Sequence, residues 1–199
     1  MAVAKCDRYI TSRNSLSRLN VTFGLFTALV SEIQSSARLY DFVCCFGLRN
    51  GENELSPPRI HFHWLGPDLK SSFGKYNSYP RNKSVVLTAL ECIYIVKFVE
   101  LNHRHESNPW SIRQAQLYHQ YREDSQQSIW LLISASPSIR RQIGHYLAAN
   151  CINKTQDPFT IHLLVLNVVV GTWRRYLIYI AEEVRQQVQL PWVHKPFII

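Results

Sequence analysis

The order of elements in this 199-residue chain predicts an α+β or three-layer α/β/α fold, with a mainly antiparallel sheet flanked by helices. Three observations carry that expectation. An apolar face recurring at three- and four-residue spacing lies before residue 40. Three segments rich in β-branched and aromatic residues, joined by short polar turns, follow between residues 91 and 134, and a long amphipathic stretch begins near residue 159. Hydrophobic residues at 46%, aromatics at 12%, and only 7 Gly and 9 Pro exclude a disordered, collagen-like or low-complexity chain. No internal repeat of the solenoid or propeller kind is visible, so one core is expected.

Residues 1–21 are basic, with Asp7 the only acid before Glu32, and read as a flexible arm. Lys5, Asp7, Arg8 and Arg13 break up any apolar run of the kind a secretory signal needs; the basic, Ser-bearing opening is faintly like a mitochondrial presequence. The domain proper then spans 22–190, and 191–199 form a tail. Thr22 is placed to N-cap a helix reaching about Arg38, with Phe26, Leu29, Val30 and Ile33 on its inner face. Tyr40 to Leu48, rich in Phe, Val and Cys, reads as a strand that turns at Arg49-Asn50-Gly51. Pro57-Pro58 closes that turn, and Arg59 to Leu65 reads as the next strand. Residues 66–83 carry no period and read as a surface loop. Glu91 to Leu101, Ser111 to Tyr121 and Ser128 to Ser134 should form an antiparallel meander.

Ser136 and Pro137 open a helix to about Ala149, and the chain from Phe159 is helical. In it Trp173, Leu177, Ile180, Val184 and Val188 make an apolar stripe, with Glu182, Glu183 and Arg185 on the other side, so another helix or a second copy should cover the stripe. Pro158 to Trp173 lacks Asp, Glu, Lys and Arg but is interrupted by His162, Asn167 and Gly171. It falls short of the roughly 20 apolar residues a span needs, and reads as a buried helix rather than a membrane segment.

Lys plus Arg at 22 against Asp plus Glu at 14 gives a net charge of +8, so anionic partners are in question. The only adjacent arginines are Arg140-Arg141 and Arg174-Arg175. They support an alternative reading as a basic module for anionic lipid or RNA, although no cationic run marks a specific nucleic-acid binder. Five cysteines, Cys6, Cys44, Cys45, Cys92 and Cys151, cannot all pair and show no C-x-x-C spacing, which suits buried thiols in a reducing compartment.

Candidate chemistry is thin. His61-x-His63 puts two imidazoles on one face of a strand, and His103-x-His105 lies in a turn, but no Cys or third His accompanies either pair, so both read as ordinary histidines. No nucleophile elbow, catalytic-cysteine signature or Gly-rich phosphate loop is present, and Glu91 with Glu100, or Glu123 with Asp124, read as solvated charges. An enzyme is not expected. Trp110-Ser111-Ile112-Arg113-Gln114 reads as a strand-anchoring corner built on a cation–π contact and hydrogen bonds.

Residues 91–121, 128–134 and 172–184 together resemble the soluble domain of fungal CorA-like divalent-cation transporters. The specific part runs from Asn108-Pro109-Trp110 through Arg113-Gln114 to Tyr118-His119, supported by Trp130 and by Trp173-Arg174-Arg175-Tyr176. The resemblance implies a cytosolic α/β/α domain preceding a stalk helix, two membrane helices and a Gly-Met-Asn pore signature, with Mg2+ the typical cation and a pentamer the typical assembly. Met1 is the only Met, so that signature is not in this sequence, and the stalk-like helix runs only to about Leu190. The expectation is therefore a truncated paralogue or a regulatory and oligomerisation module. It would be cytoplasmic and without a span, self-associating or docking on a full-length relative through Trp173, Leu177, Ile180 and Val184. Mg2+ enters by resemblance alone, with no ligands assigned.

Overall fold

A computed structural model describes residues 5–11, 19–46, 60–65, 89–102, 108–123, 125–150 and 157–189. The expected Asn50-Gly51 turn, Pro57-Pro58, the 66–83 loop, His103, His105, Asp124, Cys151 and the 191–199 tail lie outside them. Five strands, β1 (Lys5–Ile10), β2 (His61–Leu65), β3 (Ala89–Leu101), β4 (Trp110–Arg122) and β5 (Gln127–Ile133), form one sheet in the order β1-β5-β4-β3-β2. The β3-β4-β5 meander is antiparallel as expected, β2 adds antiparallel to β3, and β1 adds parallel to β5.

The two-residue period of the strands decides the layers. Tyr94, Phe98, Leu117, Trp130 and Leu132 form one core with α3 (Pro137–Asn150) and α4 (Thr160–Gln189). Ile93, Tyr118, Leu131 and Ile133 form the other with α1 (Phe23–Ile33) and α2 (Arg38–Val43). Both sheet faces are thus covered, giving the α/β/α sandwich, and β5 reads apolar from Ile129 to Ile133 because neither face meets water from Trp130 on.

Four expectations give way. Residues 5–10 are not part of a loose arm: they make β1, whose Ile10 is buried and accepts a hydrogen bond from the Ser134 amide at 2.7 Å. An edge strand can carry Lys5, Asp7 and Arg8 in its sequence and so shows no apolar alternation. The first helix starts where Thr22 predicts, its hydroxyl accepting the Leu25 amide at 3.3 Å, but stops at Ile33. Gln34 takes a left-handed conformation (φ 55°) and turns its N–H back on Ser31 and Val30, a helix-ending motif that leaves no room to continue to Arg38.

Tyr40 to Phe46 is helical rather than a strand: α2 is followed by a 3₁₀ turn, Cys44–Phe46. Leu39, Phe42 and Cys45 recur every third residue and, with Phe46, are buried in the α1/α2 core, so burial overrides the β preference of Phe, Val and Cys. Finally, α4 runs for thirty residues, as the helical reading from Phe159 to about Leu190 expects, but the reading of Pro158 to Trp173 as buried gives way, since Leu163, Leu166 and Val170 are exposed. Gly171 does not interrupt it, and a Cβ there would meet open space. Thr160–Val188 is long and apolar enough to cross a membrane, at mean hydropathy 1.3, and only 17% of its most apolar window is buried.

Cys45 and Cys92 are buried thiols, and burial pushes Cys92 up to about 12; Cys44 is exposed, unlike the expected buried state.

Candidate functional site

The residues that carry the resemblance divide between the two faces of the sheet, and those on the α4 side clasp that helix. At the start of β4 the Asn108 side chain accepts the Trp110 amide at 3.0 Å, and Asn102 donates to the Asn108 carbonyl at 3.2 Å and to Ser111 Oγ at 3.3 Å. The Asn102 amide also donates to the Pro109 carbonyl at 2.7 Å, so the two strand ends are tied where the chain reverses. That knot fixes the Trp110 indole against two tyrosines of α4, Tyr176 at 5.5 Å and Tyr179 at 5.9 Å between ring centroids. Among the described residues the Trp110 ring contacts are with tyrosines of α4 and not with Arg113, and Gln114 of the same segment faces the opposite layer. One turn further in, Trp173 Nε1 donates to the Lys97 carbonyl of β3 at 3.1 Å.

His119 sits deeper and is fully buried, stacked on Trp130 with centroids 3.8 Å apart and planes within 6°. Its Nδ1 lies 3.0 Å from His162 Nε2 on α4, its Nε2 lies 3.2 Å from Ser128 Oγ, and His162 Nδ1 lies 2.7 Å from the Tyr94 hydroxyl. Two opposite proton orders satisfy this chain with both rings neutral, one running from Tyr94 through His162 and His119 to Ser128 and the other in reverse. Burial favours that state. It lowers His119 to about 3, with the neighbouring His162 adding to the effect, and lowers His162 to about 4. A charged pair would place two N–H groups head to head at 3.0 Å.

Two motif residues face the other way. Gln114 Nε2 donates to the Cys45 carbonyl at 2.8 Å, and Tyr118 is wholly buried in the α1/α2 core, where burial pushes its hydroxyl well above the usual phenol range. Glu91 lies on this face and accepts the Ser36 amide at 2.9 Å, while Glu100 borders the opposite face, so the two do not form a carboxylate pair. His61 and His63 do share a face, with rings stacked at 5.9 Å, and burial lowers His61. Among the described residues no three of His, Cys, Asp and Glu converge on a point suited to a metal.

The outer side of α4 is open. Leu163, Leu166, Val170, Trp173, Leu177, Ile180 and Val184 step alternately by three and four, so the stripe expected from Trp173 onward extends back to the start of the helix. Leu163, Val170 and Leu177 are 63%, 65% and 62% exposed, and Trp173 is half-buried. Beside them Val170, Trp173, Leu177, Ile178 and Ala181 line an apolar hollow of about 420 Å³. Of the paired arginines, Arg140, Arg141 and Arg175 border one hollow, and Arg174 borders this apolar one instead.

His162, Tyr94, Tyr176 and Tyr179 complete the clasp, and of these only Tyr176 belonged to the motif read from sequence. His162 left a signal, as the one imidazole inside an otherwise apolar stretch.

These features define a three-layer α/β/α domain whose sheet grips one long, outwardly apolar helix. The profile of CorA-like transporters matches residues 7–190, and the chain belongs to that family. No curated protein and no solved structure matches it. Membership relates the chain to divalent-cation transporters, which are not enzymes. The match begins within β1, which places the first strand inside the family domain.

Proposed function

We propose that residues 5–189 act as the soluble, cytosolic domain of a CorA-like assembly, a regulatory and oligomerisation module rather than the conducting part. The observation that carries this reading is the exposed three-four stripe on α4, from Leu163 to Val184. Seven apolar residues at that spacing make a seam that a like helix can fill knob into hole, and water is a poor partner for it. Trp173, Leu177, Ile180 and Val184 form its C-terminal part, with the half-buried Trp173 at its edge, and the occupant is a second copy of the chain or a relative that bears pore helices. The motif residues Asn108, Pro109, Trp110, His119 and Trp130 serve by holding α4 at a fixed angle, so that the seam is presented in a defined direction. Arg113 borders a separate hollow, while Gln114 and Tyr118 secure the opposite layer.

The cation would be cargo of the assembled transporter; this reading assigns it no ligands in the domain. The test is oligomeric state by light scattering coupled to size exclusion. Wild-type chain is expected to associate, and the Leu177→Glu/Val184→Glu variant to remain folded and become monomeric. An unchanged mass distribution in the variant overturns the reading.

A further inference from the structure

We propose that the hollow at the start of α3 binds a small molecule through its phosphate group, an activity separate from self-association and independent of it. The cavity holds about 560 Å³, in the range of sites for ligands larger than a free ion. Its described wall includes Arg113 from β4, Arg140 and Arg141 from α3, and Arg175 from α4, against Glu100 as the one carboxylate. Three elements distant in sequence thus converge four guanidiniums on one concave space. Like charges gathered around one concave space repel one another, and an anion between them converts that repulsion into attraction.

Two further observations point to an acceptor-rich guest. Arg140 Nε and Trp110 Nε1 both belong to wall residues, are buried, and have no hydrogen-bond partner. Both are donors left without an acceptor. The positive end of α3 opens on the same space. Pro137 has no N–H, Ser136 Oγ takes the Ile139 amide at 3.3 Å, and Ser138 borders the cavity. A fourteen-residue helix adds its dipole to the field of the arginines.

The choice of Arg over Lys at all four positions favours a planar, doubly bonded contact with phosphate oxygens over simple charge neutralisation. The volume leaves room for the group attached to the phosphate, with Trp110, Phe98 and Leu101 as apolar wall. The concave shape suits a soluble phosphorylated compound or a single lipid headgroup, and both offer the same chemistry. Arg174, adjacent in sequence to Arg175, borders the other hollow and serves as the internal control.

The test uses the whole chain with two probes, sodium pyrophosphate followed by calorimetry, and phosphatidylcholine vesicles doped with phosphatidic acid followed by co-sedimentation. Saturable binding of pyrophosphate identifies a soluble source; binding confined to the doped vesicles identifies a headgroup. In either case Arg140→Gln/Arg141→Gln/Arg175→Gln should weaken binding by at least tenfold, on the order of one lost charge-assisted contact. Arg174→Gln should leave it within about twofold. Circular dichroism checks the fold of the triple variant, and if that variant is unfolded the Arg141→Gln/Arg175→Gln pair, both exposed, replaces it. The proposal is overturned if neither probe binds, if the charge-removed variant binds as wild type does, or if Arg174→Gln weakens binding equally.

Discussion

The two sides of α4 are made of the same kinds of residue and have opposite surroundings. Ile161, Val165 and Val169 are 4%, 0% and 8% exposed, whereas Leu163, Val170 and Leu177 exceed 60%. What separates them is a set of polar anchors. Tyr94 and His119 hold His162, the Lys97 carbonyl holds Trp173 and the Trp110 ring meets Tyr176, and each of these contacts joins the sheet to the helix. Apolar burial alone does not choose a rotation for a helix with two apolar sides, because either side buries similar area. The directional contacts choose it, and they leave the second side free for a partner.

The largest effect should come from inverting that assignment with a charge. Val165→Asp places a carboxylate among Ile139, Leu117 and Trp130 with no counter-charge, and should cost at least about 4 kcal/mol, enough to unfold the domain. Val170→Asp, on the open side, should change monomer stability by no more than about 0.5 kcal/mol while weakening self-association. Urea unfolding and light scattering on the two variants read both outcomes. Equal destabilisation would mean that the helix is not oriented as described.

Acid should loosen the closed side next. Burial keeps His119 and His162 neutral in the folded state, whereas in the unfolded chain each takes a proton below about pH 6.5. The unfolded state therefore binds more protons as pH falls from about 6.5 toward 4, and stability drops across that window. The slope is about 1.4 kcal/mol per pH unit for each imidazole. Above about pH 6.5 the pair adds no pH dependence. His162→Gln should roughly halve the slope, and an unchanged slope would show that other groups cause it.

Trp110→Ala tests the far end of the clasp. It removes the contact with Tyr176 and Tyr179 and leaves the histidine network in place, so the expected loss is about 2 kcal/mol. The loss should be local. Amide exchange should quicken beyond Trp173 and stay slow between Ile161 and Val169; uniform quickening would mean that the helix is held as one unit.

The layers were legible in sequence because helix periods survive where a helix has one wet side, and because the central strands, buried on both faces, read as runs of β-branched and aromatic residues between polar turns. The meander, α3 and the outer stripe of α4 all showed in this way, as did Thr22 as a cap. What was not legible depended on distant partners. β1 exists because β5 offers it an edge, and Phe42 and Cys45 are helical because the sheet covers them. His162 is buried because Tyr94 and His119, far away in the chain, supply its bonds. The Trp110–Gln114 segment could be read as an anchor, while the tyrosines that Trp110 meets lie too far along the chain for spacing to connect them. The arginine hollow is similar: two adjacent pairs were visible, but only the fold separates Arg174 from Arg175 and brings Arg113 to the group.

The smallest effect belongs to the end of α4 that neither side holds. Arg185 Nη1 bonds Glu182 Oε2 at 2.7 Å, with the two side chains 64% and 48% exposed, and Gln186 Nε2 donates to Glu182 Oε1 at 3.4 Å. The geometry is good, but solvent screens an exposed pair of this spacing, and holding two long side chains in one rotamer costs entropy. Glu182→Ala removes both contacts and gains helix propensity, so the net change in monomer stability should stay within about 0.5 kcal/mol. Glu182 lies on the side of α4 opposite Ile180 and Val184, so if α4 packs against a second copy through that seam, the same substitution should leave both the association constant and its salt dependence unchanged. An association constant that changed in Glu182→Ala would put Glu182 inside the interface and show that the seam is not the Leu163–Val184 stripe.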